Sequence, residues 1–360
     1  ACCESRAQFI KKKDSTPLQG RCDSFVVETN VHYPTDINLL LDALRKIILL
    51  TARLSKKYRL TDWRQHLHNF RSLKRLMRTV LNKKRGACRS EEKKKQKEKE
   101  IQEAYLQYIQ AAQGFVKKAQ ATLAAIGDDG DIVIAAMKQT IEKFIVAAYR
   151  QIDQIKRRVI LGEMIPHDEK VFSIFEPHTE WVVKGKAGVP VELGLKVCIL
   201  EDQHQFILSQ HVMEKQTDEQ IALFMTKEGK SRFPSLCQVS YDKGFHSPTN
   251  QEELKKEIAT PILPRKGKLS KKVQELEHSK AFIKARHQHS AVESAINALE
   301  VHGLDYCPDH GIYGFKRYVA LAVVANNVAR IGAIIKAQRE KALKKKYKKY
   351  GIREPLKMAA

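Results

Sequence analysis

Between two stretches that read as β-structure lies a run of more than a hundred residues with helical periodicity, and this interruption constrains the fold more than any other feature of the chain. Residues 23–31, Asp-Ser-Phe-Val-Val-Glu-Thr-Asn-Val, are β-branched and aromatic, as in a buried strand. Pro34 stops the strand, and Thr35 or Asp36 can cap the helix that follows. From Ile37 to about Arg158 apolar residues recur every three or four positions. Leu40, Leu44, Ile47 and Ile48 share a face near the start; Ile134, Met137, Ile141, Phe144, Ala148, Ile152 and Ile155 do so near the end. Gly86 marks a break, and Gly127-Asp-Asp-Gly130 a turn between two long helices.

β-Structure resumes past Val171. Val191, Leu193, Leu195, Val197 and Ile199 alternate strictly, and Phe206–Val212 returns across the polar turn Glu201–Gln205, which predicts a hairpin with one buried face. Trp181–Val183 leads into it, through a turn over Lys184–Gly188. Thr217 can cap a short helix over Asp218–Lys227, and Leu236–Tyr241 is a strand with Asp242 at its end. Ser247-Pro248 opens a helix, since proline is favoured at the first helical position. Pro261–Pro264 is a last extended piece, and Ser270–Lys349 is mostly helical with breaks near Gly303 and Pro308–Gly314. These strands can join one mixed sheet with helices on its faces, an α/β class.

The 360 residues suffice for two or three domains, and a hydrophobic fraction of 43% excludes wholesale disorder. Lys and Arg number 65 against 41 Asp and Glu, a net charge of +24. Residues 51–100 carry a net +13 and residues 331–360 a net +8, so the remainder is nearly neutral. Two cationic surfaces on a balanced body suit a phosphate backbone, with a solvated surface as the alternative. The segment Lys341–Tyr350 offers only Leu343, Tyr347 and Tyr350 to a membrane surface, and no stretch approaches the ~18 uncharged apolar residues of a membrane span. No apolar signal core lies near the N-terminus, so the expected location is cytoplasmic and nucleoid-associated, without membrane contact. The first residue is Ala, which reads as the remainder of a longer protein. Seven scattered cysteines include no C-x-x-C pair, so neither a zinc ribbon nor a disulfide framework is expected. No Walker-type glycine loop exists, so ATP use is not indicated.

Three carboxylates could carry chemistry. Asp23 begins the first strand, Asp242 ends a later one, and open sheets place ligands near strand ends. Glu293 lies on a helix where Arg286, His289, Glu293, Asn297 and Glu300, spaced by three or four residues, form one polar stripe. Such acids could hold two hard divalent cations ~3.5–4 Å apart for phosphoryl transfer. A solvated helix face and a turn aspartate are the alternative. Lys184 and Lys186, in a Gly-rich turn, are plausible phosphate contacts.

Several blocks also resemble a known family. Asp23-Ser-Phe-Val-Val-Glu-Thr-Asn-Val-His-Tyr-Pro-Thr-Asp36 resembles the first-strand block of insertion-sequence transposases of the ISNCY type. Val171–Lys186 with Val191-Glu-Leu-Gly194 resembles that family's hairpin entry, and Asp242-Lys-Gly-Phe-His-Ser247 its second-acid motif. His289–Leu299, Gly303-Leu-Asp305 and Gly311 through Asn327 resemble its last block. The resemblance covers roughly residues 21–36 and 170–333, about half the chain.

The resemblance implies an RNase H-like core with a DDE triad, placed on Asp23, Asp242 and Glu293 as catalytic and metal-binding residues. It implies Mg²⁺ as two ions, with Mn²⁺ able to substitute. Water attacks a phosphodiester at a transposon end, and the freed 3′-OH attacks target DNA. The partners implied are DNA, as transposon ends and target, and a second copy of the chain in a homodimer or higher synaptic assembly. The implied domains are a polar lead-in over 1–20, or remnant of a missing N-terminal end-recognition domain; the first part of the core over 21–36; a basic helical insertion over 37–165; the second part of the core over 166–333; and a basic tail over 334–360. Lys83, Lys84, Arg85, Lys184, Lys186, Arg286 and His289 are the DNA-binding candidates. Related sequences often carry Arg four residues before the Glu and Lys seven after it; here those positions are His289 and Glu300, and Arg286 would take the arginine's role. A decayed or domesticated copy would keep the fold and charge as a DNA-binding protein without strand transfer.

Overall fold

A computed structural model describes residues 17–86, 90–127, 130–183 and 190–350. The chain divides into two compact units, Ala1–Asn30 with His178–Ala360, and Val31–Pro177.

The first unit is mixed α/β. Strand β1 (Leu18–Thr29) is its centre, and its alternating side chains enter two cores. Leu18 and Cys22 face one, with Leu200, Val239 and Tyr241; Phe25 and Val27 face the other, with Leu195, Val197 and Ile199. Burial on both faces is closest at Phe25-Val26-Val27, the one consecutive apolar run of the strand. β1 starts five residues before the expected Asp23, because Leu18 and Gly20 continue the inward alternation beside β5 (Leu236–Tyr241).

β3 (Val191–Asp202) runs antiparallel to β1. Its outer edge pairs with β2 (Glu180–Val183) and then β4 (Ile207–Met213), both antiparallel. The β3–β4 turn is closed by Asp202, whose Oδ1 accepts from the backbone N–H groups of His204 at 2.7 Å and Phe206 at 2.9 Å. On the other side of β1, β5 and then β6 (Thr260–Ile262) run parallel, and β7 (Tyr306–Cys307) pairs with the far end of β1.

Helices cover both faces. Ile221, Ala222 and Met225 of α5 (Asp218–Arg232) fill the first core; Val292, Ala295 and Leu299 of α9 (Ala291–Leu299) and Phe315, Val319 and Val323 of α10 (Gly311–Tyr350) fill the second. Thr217 and Gln220 form a capping box at the start of α5. Ser247 caps α6 (Pro248–Glu257), with Pro248 opening the helix. α7 (Lys271–Glu277) and α8 (Lys280–His289) follow. The polar stripe over 286–300 is not continuous: a turn at Ser290 separates α8 from α9, and Glu300 begins an irregular turn that ends past Gly303 (φ 100°). α10 also departs from expectation. Arg330 is the only charge between Tyr318 and Ile335, and one charge does not end an apolar run, so this helix is long and apolar enough, by length and composition, to cross a membrane. In the folded unit it packs one face inward, where Asn327 exchanges hydrogen bonds of 2.9 Å with the backbone of Ile207.

The second unit is helical: α1 (Asp36–Lys57), α2 (His66–Lys84), α3 (Glu91–Ile126) and α4 (Ile132–Ile155) share one core. Thr35 caps α1 as expected, and Asp131 caps α4. Ion pairs Lys57–Asp131 at 2.7 Å and Asp36–Arg158 at 2.8 Å tie opposite ends of α1 and the α4 region, so those helices run antiparallel. Trp63 is buried and donates to Thr122 at 2.9 Å.

Candidate active site

Register decides which acids meet. The parallel ladder between β1 and β5 ends with Cys22 beside Tyr241. Asp23 and Asp242 are the next residues of the two strands, just past the end of the ladder, and the Asp242 charge acts on Asp23. There β5 stops, and the next partner along that edge of β1 is β7, opposite Glu28. A crevice thus opens beyond the carboxyl end of β5, the position where open sheets take ligands. Two side chains fasten the turn that follows Asp242. Buried Asn250 donates to the carbonyls of Glu219 at 2.6 Å and Phe245 at 2.9 Å, fastening the turn after Asp242 to α5. Lys266 donates to the Gly244 carbonyl at 2.9 Å and to Glu219.

Glu293 lies in the first turn of α9, exposed between Val292 and Ala295, which anchor the helix over Phe25 and Val27. Its charge acts on Asp23, as do those of Asp242 and Asp218. Burial foremost, with these three carboxylates adding to it, raises the Asp23 pKa to about 6, against one backbone N–H from Ser24 at 2.8 Å. The structure therefore brings Asp23, Asp242 and Glu293 into one electrostatic neighbourhood.

It also adds an acid that the sequence did not single out. Asp218, the first residue of α5, accepts from Ser24 Oγ at 2.6 Å and Lys196 Nζ at 2.8 Å. The position a Cβ would take on Gly244 is 3.5 Å from Asp218 Oδ2 and 3.5 Å from Asp242 Oδ2, so those oxygens are at most about 7 Å apart across a glycine-floored notch. An acid in the first turn of a helix is routine, which is why no local signal marks Asp218.

His289, at the end of α8, is half-buried with Nδ1 3.1 Å from Ser240 Oγ; burial lowers its pKa, so the ring is neutral near pH 7. Arg286 is exposed one turn earlier on α8. In the helical unit, Lys83 pairs with Glu100 at 3.0 Å, Lys84 donates to Tyr105 at 3.1 Å, and Arg85 lies just past the end of α2. Lys184 and Lys186 lie outside the described residues.

Carboxylate oxygens are the donors that a hard divalent cation takes, and Asp23, Asp242 and Glu293 would supply them. Among the described residues, no three Asp, Glu, His or Cys side chains already stand at ligating distance from one point.

Burial of Asp23, with the neighbouring carboxylates adding to it, makes stability pH-dependent. An acid whose folded pKa lies above its unfolded value of 3.8 destabilises the fold once ionised. The contribution of Asp23 is therefore best below about pH 4 and declines as pH rises to about 6, by up to about 3 kcal/mol. Asp23→Asn should raise stability at pH 7.5 by about 1–3 kcal/mol and change it little at pH 4. Urea denaturation at both pH values measures this; equal shifts at the two would contradict it.

No protein-family model matches the chain, and neither a curated protein nor a solved structure matches it significantly.

Proposed function

We propose that the protein is a DNA transposase of the insertion-sequence DDE type, with Asp23, Asp242 and Glu293 as its triad. The observation that supports this reading is the β1–β5 ladder, which ends one residue before Asp23 and Asp242, with the charges of Asp242 and Glu293 both acting on Asp23. Further support comes from the sheet. Antiparallel strands on one side of a central first strand and parallel ones on the other suit an RNase H-like core, and the helical unit lies in sequence between β1 and β2. The cationic residues of 51–100 and 331–350 suit DNA phosphates, which bind basic surfaces with release of counterions.

In this reading Asp23, Asp242 and Glu293 would hold two Mg²⁺ ions, which would supply Lewis-acid stabilisation of the charge that develops in a displacement at phosphorus. Asp23 supplies the buried anchor from the sheet, Asp242 the strand end and Glu293 the helix side. Neutral His289 keeps positive charge away from the acids, while exposed Arg286 is available to phosphates. Water attack frees a 3′-OH at the element's end, and that hydroxyl attacks target DNA; one site serves both steps because each is a displacement at phosphorus.

The test supplies a labelled duplex with a pre-cleaved 3′-OH at the terminal sequence of the encoding element, a plasmid target and Mg²⁺. Joined product is expected. Cleavage without joining would assign a nuclease, and DNA binding without either would assign a non-catalytic binder.

A further inference from the structure

We propose that Lys196 is the charge-balancing residue of this site: by pairing with Asp218 it keeps a fourth carboxylate from adding to the cation-binding charge of Asp23, Asp242 and Glu293. The inference rests on the reading of the acid cluster given above.

Both oxygens of Asp218 are engaged, Oδ1 by the Ser24 hydroxyl at 2.6 Å and Oδ2 by Lys196 at 2.8 Å. Lys196 pairs with Val26 across β3 and β1, so it projects to the same sheet face as Ser24, two residues before Val26. Asp23, one residue before Ser24, projects to the opposite face. Asp218 Oδ2 nonetheless stands 3.5 Å from the position of a Cβ on Gly244, as does Asp242 Oδ2, and the Asp218 charge acts on Asp23. The pair is only partly exposed, 30% for the lysine side chain and 20% for the aspartate, so water screens it incompletely. The charge count closes on this arrangement. Two divalent cations balance three carboxylates and one phosphodiester; a bare fourth carboxylate would leave one negative charge over, and Lys196 supplies its counterpart.

The experiment is Mn²⁺ binding to the full chain, followed by electron paramagnetic resonance of the free ion. Lys196→Met, which bares Asp218, should tighten binding about tenfold, and Asp218→Asn, which bares Lys196, should weaken it about tenfold. The double variant should return to within about threefold of the parent, and Lys196→Arg should match it. A merely structural pair would weaken binding in both single variants. Single variants that move affinity in the same direction, or not at all, would overturn the proposal. Asp242→Asn serves as the reference: if it binds Mn²⁺ like the parent, the underlying acid-cluster reading fails instead.

Discussion

Asp242→Asn should abolish metal-dependent strand cleavage and joining, with a fall of about a thousandfold or more, while the protein stays folded and still binds DNA. The substitution keeps the shape of the side chain and the hydrogen bond that Gly244 N–H donates to Asp242 Oδ2 at 3.3 Å. What changes is charge. Asparagine offers a neutral carbonyl, a weaker donor to a hard cation than a carboxylate, and under the proposed function this weakens one of the three ligands. Asp242 is exposed, so its loss leaves no buried group unpaired and stability should stay within about 0.5 kcal/mol. A denaturation curve and a filter-binding assay on the same preparation separate loss of chemistry from loss of fold or of DNA. An Asp242→Asn protein that cleaves like the parent would remove the triad from the mechanism.

Gly194→Ala should be the most destabilising single-methyl change in the sheet, costing about 4 kcal/mol or more. Gly194 pairs with Glu28 of β1 on one side and Glu180 of β2 on the other. A Cβ there would stand 2.0 Å from the carbonyl oxygen of Val27 and 2.8 Å from Glu28 Cα. Both belong to the backbone of the central strand, which cannot yield as a flexible side chain would. Gly114, exposed on α3 with nothing within 4 Å of its would-be Cβ, is the control; Gly114→Ala should stabilise by about 0.5–1 kcal/mol through helix propensity. Urea unfolding measures both, and a cost below about 1 kcal/mol at Gly194 would contradict the close approach of β1 and β3.

Local chemistry made much of this fold legible in advance. The hairpin of β3 and β4 announces itself by alternation, Leu236–Tyr241 is a strand at both of its expected ends, and Thr35 and Ser247 cap the helices expected of them. Each of these signals lies within about two dozen residues of sequence. What the residues alone withhold is non-local. Whether Asp23 meets Asp242 depends on the register of two strands more than two hundred positions apart, and a one-residue slip would turn one acid to the opposite face. Asp218 stayed invisible because its helix-start position is commonplace, while its partners Ser24 and Lys196 come from two distant strands. The turn at Ser290 escaped for a different reason: the flanking spacing remains helical, and the break carries neither glycine nor proline. The polar stripe was read through it as one face.

The convergence of Asp23, Asp242 and Glu293 is tested most directly by growing crystals of the chain with Mn²⁺ and locating the metal by its anomalous scattering. The account predicts at least one peak in the crevice beyond β5, about 2.0–2.4 Å from carboxylate oxygens of both Asp23 and Asp242, with Glu293 drawn toward it. A crevice without a peak at millimolar Mn²⁺, or Asp23 turned away from Asp242, would contradict it.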